Sequence, residues 1–472
     1  MTQAEQLAAF VVRASYDDLS EAAREQLKIR LLDGLGCGIG ALEGDPVRIL
    51  GRHIEDFNGG GRCTLIGGGR EAPDRAAFYN SALVRYLDFN DSYLAKGETC
   101  HPSDNLGAVL AAAEYARVSG REFLAALAVA YQVQCRLSDV APVRNKGFDH
   151  TTQGSYAVAA GVSKALGLDQ GRTANAIAIS GTAFNSLRVT RTGELSHWKG
   201  LAYANTASGC TQATFLAMRG ITGPLQVFEG NKGFMDSIAG HFEIDWSREN
   251  LERVTQTVVK KYNAEMHSQS ALEGLLEIQK ESGFKAEEVK KIEVEIFDVA
   301  YHIIGGGEEG NKKTVRTKEE ADHSLPYLAA VALLDGSVMP EQHRVNRIQR
   351  QDVQTLLHKV IVLPSERCSR RFPGEMPCRL TLTLRDGRVL TKEKRDYEGF
   401  QTRPMSWKAV RQKFDDLSAP YADLSLRREI TGAVAHMEDI QVAELMSMLA
   451  KVRVPTTPEE KDSAEGEVHL KT

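Results

Sequence analysis

No two of the seven cysteines in this 472-residue chain are spaced as C-x-x-C, and their number is odd. A disulfide framework or a structural zinc site needs paired cysteines, so this spacing argues against both. It also argues against an iron–sulfur cluster, which needs three or four thiolates brought together. Cys100 lies in a very polar segment and is a candidate nucleophile, although free cysteines are more often small buried side chains. We therefore expect no metal and no other cofactor.

The chain also lacks an excess of basic residues and a long apolar run. It has 58 Lys and Arg against 63 Asp and Glu, a net charge of −5, and no basic stripe with interleaved aromatic residues. This argues against nucleic acid as a partner. No run is long enough to span a bilayer, and the first residues lack the basic start of a secretory signal. We expect a cytoplasmic protein without a membrane partner.

The spacing of apolar residues separates a helical part of the chain from a mixed part. Apolar residues recur every three or four positions up to about residue 250, and again from Trp407 to about Val452, as in amphipathic helices. Four segments between these parts have the pattern of strands: 289–297, 359–363, 379–384 and 388–392. The pair Asp386-Gly387 between the last two is a strong hairpin signal.

These patterns predict a fold that is mostly α with an α+β part. We expect a large all-helical domain built from N- and C-terminal segments, with an α+β lid domain inserted between them. The predicted boundaries are 1–264 and 401–453 for the two helical segments and 265–400 for the lid. The polar, proline-containing tail at 454–472 is predicted to be disordered.

The segment 86–107, YLDFNDSYLAKGETCHPSDNLG, is the richest in groups that can do chemistry. Its acids, bases and polar side chains include Asp88, Asn90, Asp91, Ser92, Lys96, Glu98 and His101. Pro102 favours extended backbone at His101, and Ser103 or Asp104 can cap a following helix. His101 would then lie at the positive end of that helix, where an anionic ligand is favoured.

Three more histidines stand just before a predicted helix: His150 before Thr151, His267 before Ser268 and His323 before Ser324. For any one of these histidines, a position beside a capping hydroxyl is best explained by chance. Because four of the twelve histidines, including His101, have such a position, an anion-binding, acid–base site is the favoured interpretation. Two further loops are basic: one covers 186–199 and contains Arg188 and Lys199, and the other covers 260–267 and contains Lys260. Each of them, taken alone, is interpreted as a charged loop exposed to solvent. Together these groups predict a cationic cleft for a small polycarboxylate.

Proton removal beside a carboxylate is the reaction that suits such a cleft. The charge that develops on the carboxylate needs donors aimed at it, and a positioned acid or base typically adds ~10²–10⁴-fold in rate. If a hydroxyl leaves from the next carbon, a second group must protonate it. The candidates for both roles are Asp88, His101, His150, Lys260 and Tyr327.

Four segments resemble the MmgE/PrpD family: LDFNDSYLAKGETCHPSDNLG, SLRVTRTGELSHWKG, KKYNAEMHSQSALEG and EEADHSLPYLAAVALLDG. The similarity runs from about residue 5 to 450. It implies a helical domain with an α+β lid, a homodimer, and an active site between the two domains. It also implies action on small polycarboxylates: metal-independent dehydration of 2-methylcitrate in propionate catabolism, decarboxylation of cis-aconitate, or epimerisation of a dicarboxylate.

The resemblance places the family's active-site positions on Asp88, Ser92, His101, His150, Lys199, Lys260 and Tyr327. We assign catalysis to Asp88, His101, His150, Lys260 and Tyr327, and substrate binding to Ser92, Arg188, Lys199, His267 and His323. The adjacent Lys261 leaves the register of Lys260 open. Glu265 stands where the decarboxylases have a histidine, so we expect dehydration of 2-methylcitrate, with citrate to cis-aconitate as a further reaction. A non-catalytic polycarboxylate-binding protein is the alternative of another class.

Overall fold

The computed structural model describes residues 1–57 and 59–455, and it is mostly α-helical with a small mixed sheet, as predicted. All of the predicted tail except its first two residues lies outside these ranges. The helices before residue 220 are α1 (Gln3–Arg13), α2 (Glu21–Gly40), α3 (Asp45–Asp56), α4 (Pro73–Tyr86), α5 (Leu106–Ala116), α6 (Gly120–Val140), α7 (Thr151–Ala165), α8 (Gln170–Ala183) and α9 (Trp198–Met218).

The later helices are α10 (Gln269–Ser282), α11 (Asp298–Ala300), α12 (Lys318–Ala321), α13 (Leu325–Asp335), α14 (Val345–Ile348), α15 (Gln351–Leu357), α16 (Glu366–Ser369), α17 (Trp407–Ser418), α18 (Leu424–Ala435) and α19 (Val442–Leu449). Four of the later helices, α11, α12, α14 and α16, have only three or four residues. Among the described residues, no helix is both long enough and apolar enough to cross a membrane.

The strands are β1 (Cys63–Thr64), β2 (Arg70–Glu71), β3 (Tyr93–Ala95), β4 (Glu98–Cys100), β5 (Val289–Ile296), β6 (Val360–Pro364), β7 (Cys378–Leu384) and β8 (Val389–Lys394). The last four form one sheet in the order β6-β5-β7-β8, with β5 and β6 parallel and the other pairs antiparallel. All four predicted strands are therefore confirmed. The predicted turn joins β7 to β8, with Gly387 at φ +93°.

The hairpin of β3 and β4 lies inside the polar segment that the sequence presents as a loop. Each strand has only three residues, too few for a period of two to be recognised. The turn between them contains Gly97 at φ +88°, a backbone conformation that favours glycine. This hairpin brings His101 back beside Asp91 and Ser92.

The apolar residues form two large clusters. One runs from Ala4 to Val259 and resumes from Met405 to Val452, and the other runs from Val258 to Phe400 with Leu94 added. The second cluster fills the space between the four-stranded sheet and its helices, including α10 and α13. Whether the clusters behave as separate domains with the predicted boundaries stays a prediction.

A buried lysine ties the C-terminal helices to the N-terminal part of the chain. Lys413 on α17 is 7% exposed, and its Nζ lies 2.7 Å from Oδ1 of Asp33 on α2. The same Nζ donates to the main-chain oxygens of Phe89 at 2.8 Å and Lys260 at 3.0 Å. Because Phe89 and Lys260 flank the candidate site described below, this one ammonium group fixes three chain segments around it.

We expect Lys413→Met to lower the free energy of unfolding by about 3–5 kcal/mol, because it leaves the buried Asp33 carboxylate without a cation. Urea denaturation should show this loss. The double variant Lys413→Met/Asp33→Leu should recover part of it, while Lys451→Met, at a side chain that is 60% exposed, should change little. A single variant as stable as the wild type would contradict this role for Lys413.

Candidate active site

The carboxylate of Asp88 lies at the centre of a buried cluster of charged side chains. Asp88 follows α4 and has a left-handed backbone, φ +56°, which aspartate tolerates better than most residues. Its Oδ1 lies 2.7 Å from Nη1 of Arg85 and accepts a hydrogen bond from Nζ of Lys260 at 2.8 Å. Lys260 also donates to the main-chain oxygen of Asp88 at 2.6 Å.

The second oxygen of Asp88 faces residues from two distant segments. Nζ of Lys199, in the first turn of α9, lies 3.1 Å from Oδ2, and Nδ1 of His323 lies 3.7 Å from it. Oδ1 of Asp322 lies 2.7 Å from both of these nitrogens. Oδ2 of Asp322 accepts from Lys318 at 2.7 Å. The cluster therefore joins the helical part of the chain to the segment before α13.

The cations of this cluster keep both carboxylates ionised. Burial acts to raise the pKa of Asp88, but the positive charges of Arg85, Lys260 and Lys199 outweigh it and hold the pKa well below its usual range. Burial likewise acts to raise the pKa of Asp322, and Lys199 and Lys318 outweigh it. Burial lowers the pKa of Lys260 even though Asp88 opposes the shift.

His101 is a buried, neutral imidazole with one nitrogen fixed as a donor. Its Nδ1 lies 2.8 Å from the main-chain oxygen of Asp91, which can only accept, so Nδ1 carries the proton. Oγ of Ser92 lies 3.0 Å from the same nitrogen. Burial and then the charges of Arg85 and Lys260 hold the pKa of His101 well below its usual value. Nε2 is therefore left with a free lone pair.

His150 stands beside His101, with ring centroids 5.4 Å apart. It is the N-cap residue of α7, and its Nδ1 lies 3.2 Å from Oδ1 of Asp149. Nε of Arg191 lies 2.7 Å from Oδ2 of that aspartate, which holds the carboxylate in place. On the other side of the ring, Nε2 lies 3.7 Å from Oδ2 of Asp104. The two histidine rings thus form one wall of the site.

The remaining predicted binding residues lie around this centre with partners of their own. Nη2 of Arg188 lies 2.6 Å from Oε1 of Glu309. Nδ1 of His267 donates to Oε1 of Glu265 at 2.7 Å, and its buried Nε2 has no hydrogen-bond partner among the described residues. Burial acts to raise the pKa of Glu265, but the charges of His267, His323 and Lys260 bring it down to about 2.

Of the two adjacent lysines, Lys260 is the one in the cluster. It is fully buried, whereas Nζ of Lys261 forms outer ion pairs with Glu273 at 3.1 Å and Glu398 at 2.8 Å. The structure thus places Lys260, and not Lys261, beside Asp88, and its role as the active-site lysine stays a prediction. Lys261 provides a matched control for substitutions at the cluster.

Tyr327 does not join the cluster. It lies on α13 within the second apolar cluster, and its hydroxyl donates to the main-chain oxygen of Gln342. No hydrogen bond links it to Asp88 within the described part of the chain. A catalytic role for Tyr327 would require this hydroxyl to leave its present partner.

Of the four predicted helix caps, the one at α13 is right and those at α5, α7 and α10 are wrong, because neither Thr151 nor Ser268 makes a side-chain cap. Oγ of Ser324 accepts from the main-chain nitrogen of Tyr327 at 3.1 Å and caps α13, as expected. By contrast, α5 begins at Leu106 without a side-chain cap, because the hydroxyl of Ser103 donates instead to Oδ1 of Asp91 at 2.7 Å. The competing buried carboxylate is the physical reason for the difference.

One group of side chains in the site has the composition of a metal site. Asp88, Asp322 and His323 each offer a ligand atom, and these atoms lie within 4.8 Å of one another. Nζ of Lys199 contacts all three residues, at 3.1, 2.7 and 3.0 Å respectively. A metal ion there would meet an ammonium group that already supplies the positive charge.

Several residues of the site were not predicted from the sequence: Arg85, Asp104, Asp149, Asp322 and Glu265. Four of them carry a local signal. Arg85 is three residues before Asp88 at a helix end, Asp149 and Asp322 directly precede His150 and His323, and Glu265 is two residues before His267. The pair of Asp149 with Arg191, by contrast, forms across the fold.

Comparison with family models identifies the chain. Residues 5–247 match the MmgE/PrpD N-terminal domain, and residues 262–459 match the MmgE/PrpD C-terminal domain. The chain belongs to the MmgE/PrpD family. The junction between the two matches contains Lys260, so the charged cluster around Asp88 draws on both sides of it.

Two protein names occur among three similar relatives. The chain is 28% identical to 2-methylcitrate dehydratase of Escherichia coli over 375 residues, 73% of this chain and 74% of the relative. It is 27% identical to the mitochondrial 2-methylcitrate dehydratase of Yarrowia lipolytica over 412 residues, 80% of this chain and 76% of the relative. It is 24% identical to cis-aconitate decarboxylase of Mus musculus over 480 residues, 95% of this chain and 93% of the relative.

We expect the imidazole of His101 to stay neutral at pH values where an ordinary histidine is half protonated, about pH 6.5. Nitrogen-15 NMR of labelled histidine should show this. Lys260→Met should raise the pKa of His101, because removing a nearby positive charge makes protonation more favourable. Lys261→Met should leave it unchanged. A His101 that titrates normally in the wild type would contradict the assignment.

Proposed function

We propose that this protein is a metal-independent dehydratase that converts 2-methylcitrate to 2-methylaconitate, with citrate to cis-aconitate as a further reaction. The observation that carries the proposal is the neutral His101, whose Nε2 keeps a lone pair beside a buried group of cations. A base of this kind can take a proton from a carbon next to a carboxylate. The names of the dehydratase relatives supply the substrate.

Lys260 has the donor capacity to hold a substrate. An ammonium group has three N–H donors. Two of them reach the carboxylate and the main-chain oxygen of Asp88, and no third partner lies among the described residues. We assign this third donor to the reacting end of the substrate. Asp88 acts as a positioning residue, since it fixes Lys260 and balances its charge.

The reaction then needs two proton movements. Nε2 of His101 removes the proton from the carbon beside a carboxylate, and the electrons of that C–H bond form the new double bond. The C–O bond to the hydroxyl breaks with its electron pair, and the leaving oxygen takes a proton from Lys260 as water is released. The lowered pKa of Lys260 suits this donor role. The products are the unsaturated tricarboxylate and one water molecule.

The ammonium of Lys199 supports the metal-independent form of the proposal. It contacts the only group of His, Cys, Asp and Glu side chains, within residues 1–57 and 59–455, that is arranged to hold a metal ion. Lys199 is thus the built-in cation of the site. We place it in charge balance and in fixing His323, and give it a smaller part in direct substrate contact than the sequence indicated.

Closure of a lid is the second element of the proposal. Asp88, His101 and Lys199 belong to the helical part of the chain, whereas Glu265 and His323 belong to the part with the sheet. The two crossings between these parts run side by side, because the main-chain nitrogen of Val259 donates to the oxygen of Gly399 at 3.0 Å. We propose that motion about them admits substrate and then excludes water. The homodimer and the cytoplasmic location stay predictions.

Decarboxylation of cis-aconitate is the second candidate function, favoured by the coverage of 95% in the match to the mouse decarboxylase. It would also use proton transfer beside a carboxylate. The two reactions give different products, because only decarboxylation releases carbon dioxide. Release of carbon dioxide from cis-aconitate, without an absorbance change from 2-methylcitrate, would replace the first proposal by this one.

Purified protein should convert 2-methylcitrate to a product that absorbs in the ultraviolet, and exhaustive EDTA treatment should not change the rate. His101→Ala should lower kcat/KM by about 10²–10⁴-fold, because it removes the base. The control is His241→Ala, at a side chain that is 79% exposed. Complete loss of activity with the chelator, or a His101→Ala variant within a few-fold of wild type, would overturn the proposal.

The adjacent lysines give a paired test of the acid. Lys260→Ala should lower kcat/KM by about 10²–10³-fold, because a donor to the reacting group is lost. Lys261→Ala should stay within about twofold, because its ion pairs lie outside the cluster. Steady-state kinetics on both variants, with circular dichroism to verify folding, makes the comparison. Equal losses in the two variants would exclude the assigned role.

A further inference from the structure

A second concave region of the molecule carries the opposite charge balance to the chain as a whole. It is a recess of about 1040 Å³ between the β1–β2 hairpin, the end of α5 and the end of α19. Four arginines line this arginine recess: Arg62, Arg70, Arg117 and Arg453. Of the described residues, Glu114 contributes the one carboxylate of its lining. The protein has a net charge of −5, so this local excess of cations is not a reflection of composition.

The single carboxylate does not neutralise the arginines. Oε2 of Glu114 accepts from the main-chain nitrogen of Thr64 at 2.6 Å, and Oε1 accepts from the Thr64 hydroxyl at 2.6 Å. Glu114 is 8% exposed, and Arg70 lies 3.7 Å from it. Its role is to fasten the hairpin to α5. Among residues 1–57 and 59–455, the other guanidinium groups have no buried counter-ion.

Capping of helix ends explains one of the four arginines but not all of them. Arg453 donates to the main-chain oxygens of Ala450 and Val452 just after α19, and so serves that helix end. The guanidinium of Arg62 lies over the Tyr115 ring at 6.0 Å. The side chain of Arg117 makes no hydrogen bond or ion pair with any residue of the described ranges, and it is exposed. Several donors therefore face the recess unused.

We propose that the arginine recess binds a small extended polyanion, a chain of phosphates joined by anhydride bonds. Guanidinium groups present paired N–H donors that match phosphate oxygens. Four of them spread around a recess of about 1040 Å³ suit a ligand whose charges are equally spread. Inorganic polyphosphate and the phosphate chain of a nucleoside triphosphate share this chemistry.

This site is separate from the catalytic cluster. Helix α5 begins at Leu106, just after the turn that follows His101, and ends at Ala116 beside the recess. Eleven helical residues span about 16 Å. The two sites therefore share a helix but no lining residue, and substitutions in the recess should not alter the basal reaction.

Isothermal titration calorimetry with sodium tripolyphosphate, and separately with ATP, tests the proposal. Both should bind saturably in low salt, and affinity should fall as salt is raised. Arg62→Ala/Arg117→Ala should weaken binding by about tenfold or more. Arg411→Ala, an exposed arginine on α17 outside the recess, should bind within about twofold of wild type. Similar affinities for the two probes would assign binding to the phosphate chain. Much tighter binding of ATP than of tripolyphosphate would show that the nucleoside also contacts the recess.

Three results would overturn the proposal. The first is no saturable binding of either probe, and the second is an equal loss in the Arg411→Ala control. The third is loss of binding in Lys260→Ala, which would place the anion in the catalytic cluster. Dehydratase activity of Arg62→Ala/Arg117→Ala is measured beside binding, so a failed activity assay and a failed binding assay remain distinguishable.

Discussion

The buried carboxylate of Asp88 is the group on which the candidate active site depends. A carboxylate that is 3% exposed cannot stay ionised without nearby cations. Arg85, Lys199 and Lys260 supply them from three separate segments of the chain. Each of these cations is itself buried, so each depends on Asp88 in turn. The result is an arrangement in which no member is free to move alone.

This mutual dependence gives the site its chemical properties. Burial, and then the charges of Arg85 and Lys260, hold the pKa of His101 well below its usual value, which leaves a neutral base available at physiological pH. Asp88 and Asp322 balance the cations of the cluster, so the cationic cleft expected from the sequence stays a prediction. Within residues 1–57 and 59–455, Lys199 adds a positive charge at the one group of side chains arranged to hold a metal ion.

Local patterns predicted most of the fold and part of the site. The strand β7 and the hairpin at Gly387 follow from alternation and turn chemistry, which act over a few residues. His101 and Lys260 were found because they stand in unusually polar segments. Asp149 directly precedes His150 and contacts it, but its second partner, Arg191, lies 42 positions away in the sequence and reaches it only in the folded chain. Tyr327 is the opposite case, because the sequence motif predicts it in the site. In the folded chain its hydroxyl instead donates to the main-chain oxygen of Gln342.

A crystal structure of the protein with propane-1,2,3-tricarboxylate, a substrate-like molecule without the hydroxyl, tests the central claim most directly. The account predicts that the ligand lies between the two parts of the chain. One of its carboxylates should contact Nζ of Lys260, and a carbon beside a carboxylate should face Nε2 of His101. A ligand bound elsewhere at full occupancy, with the cluster around Asp88 unchanged, would contradict the account.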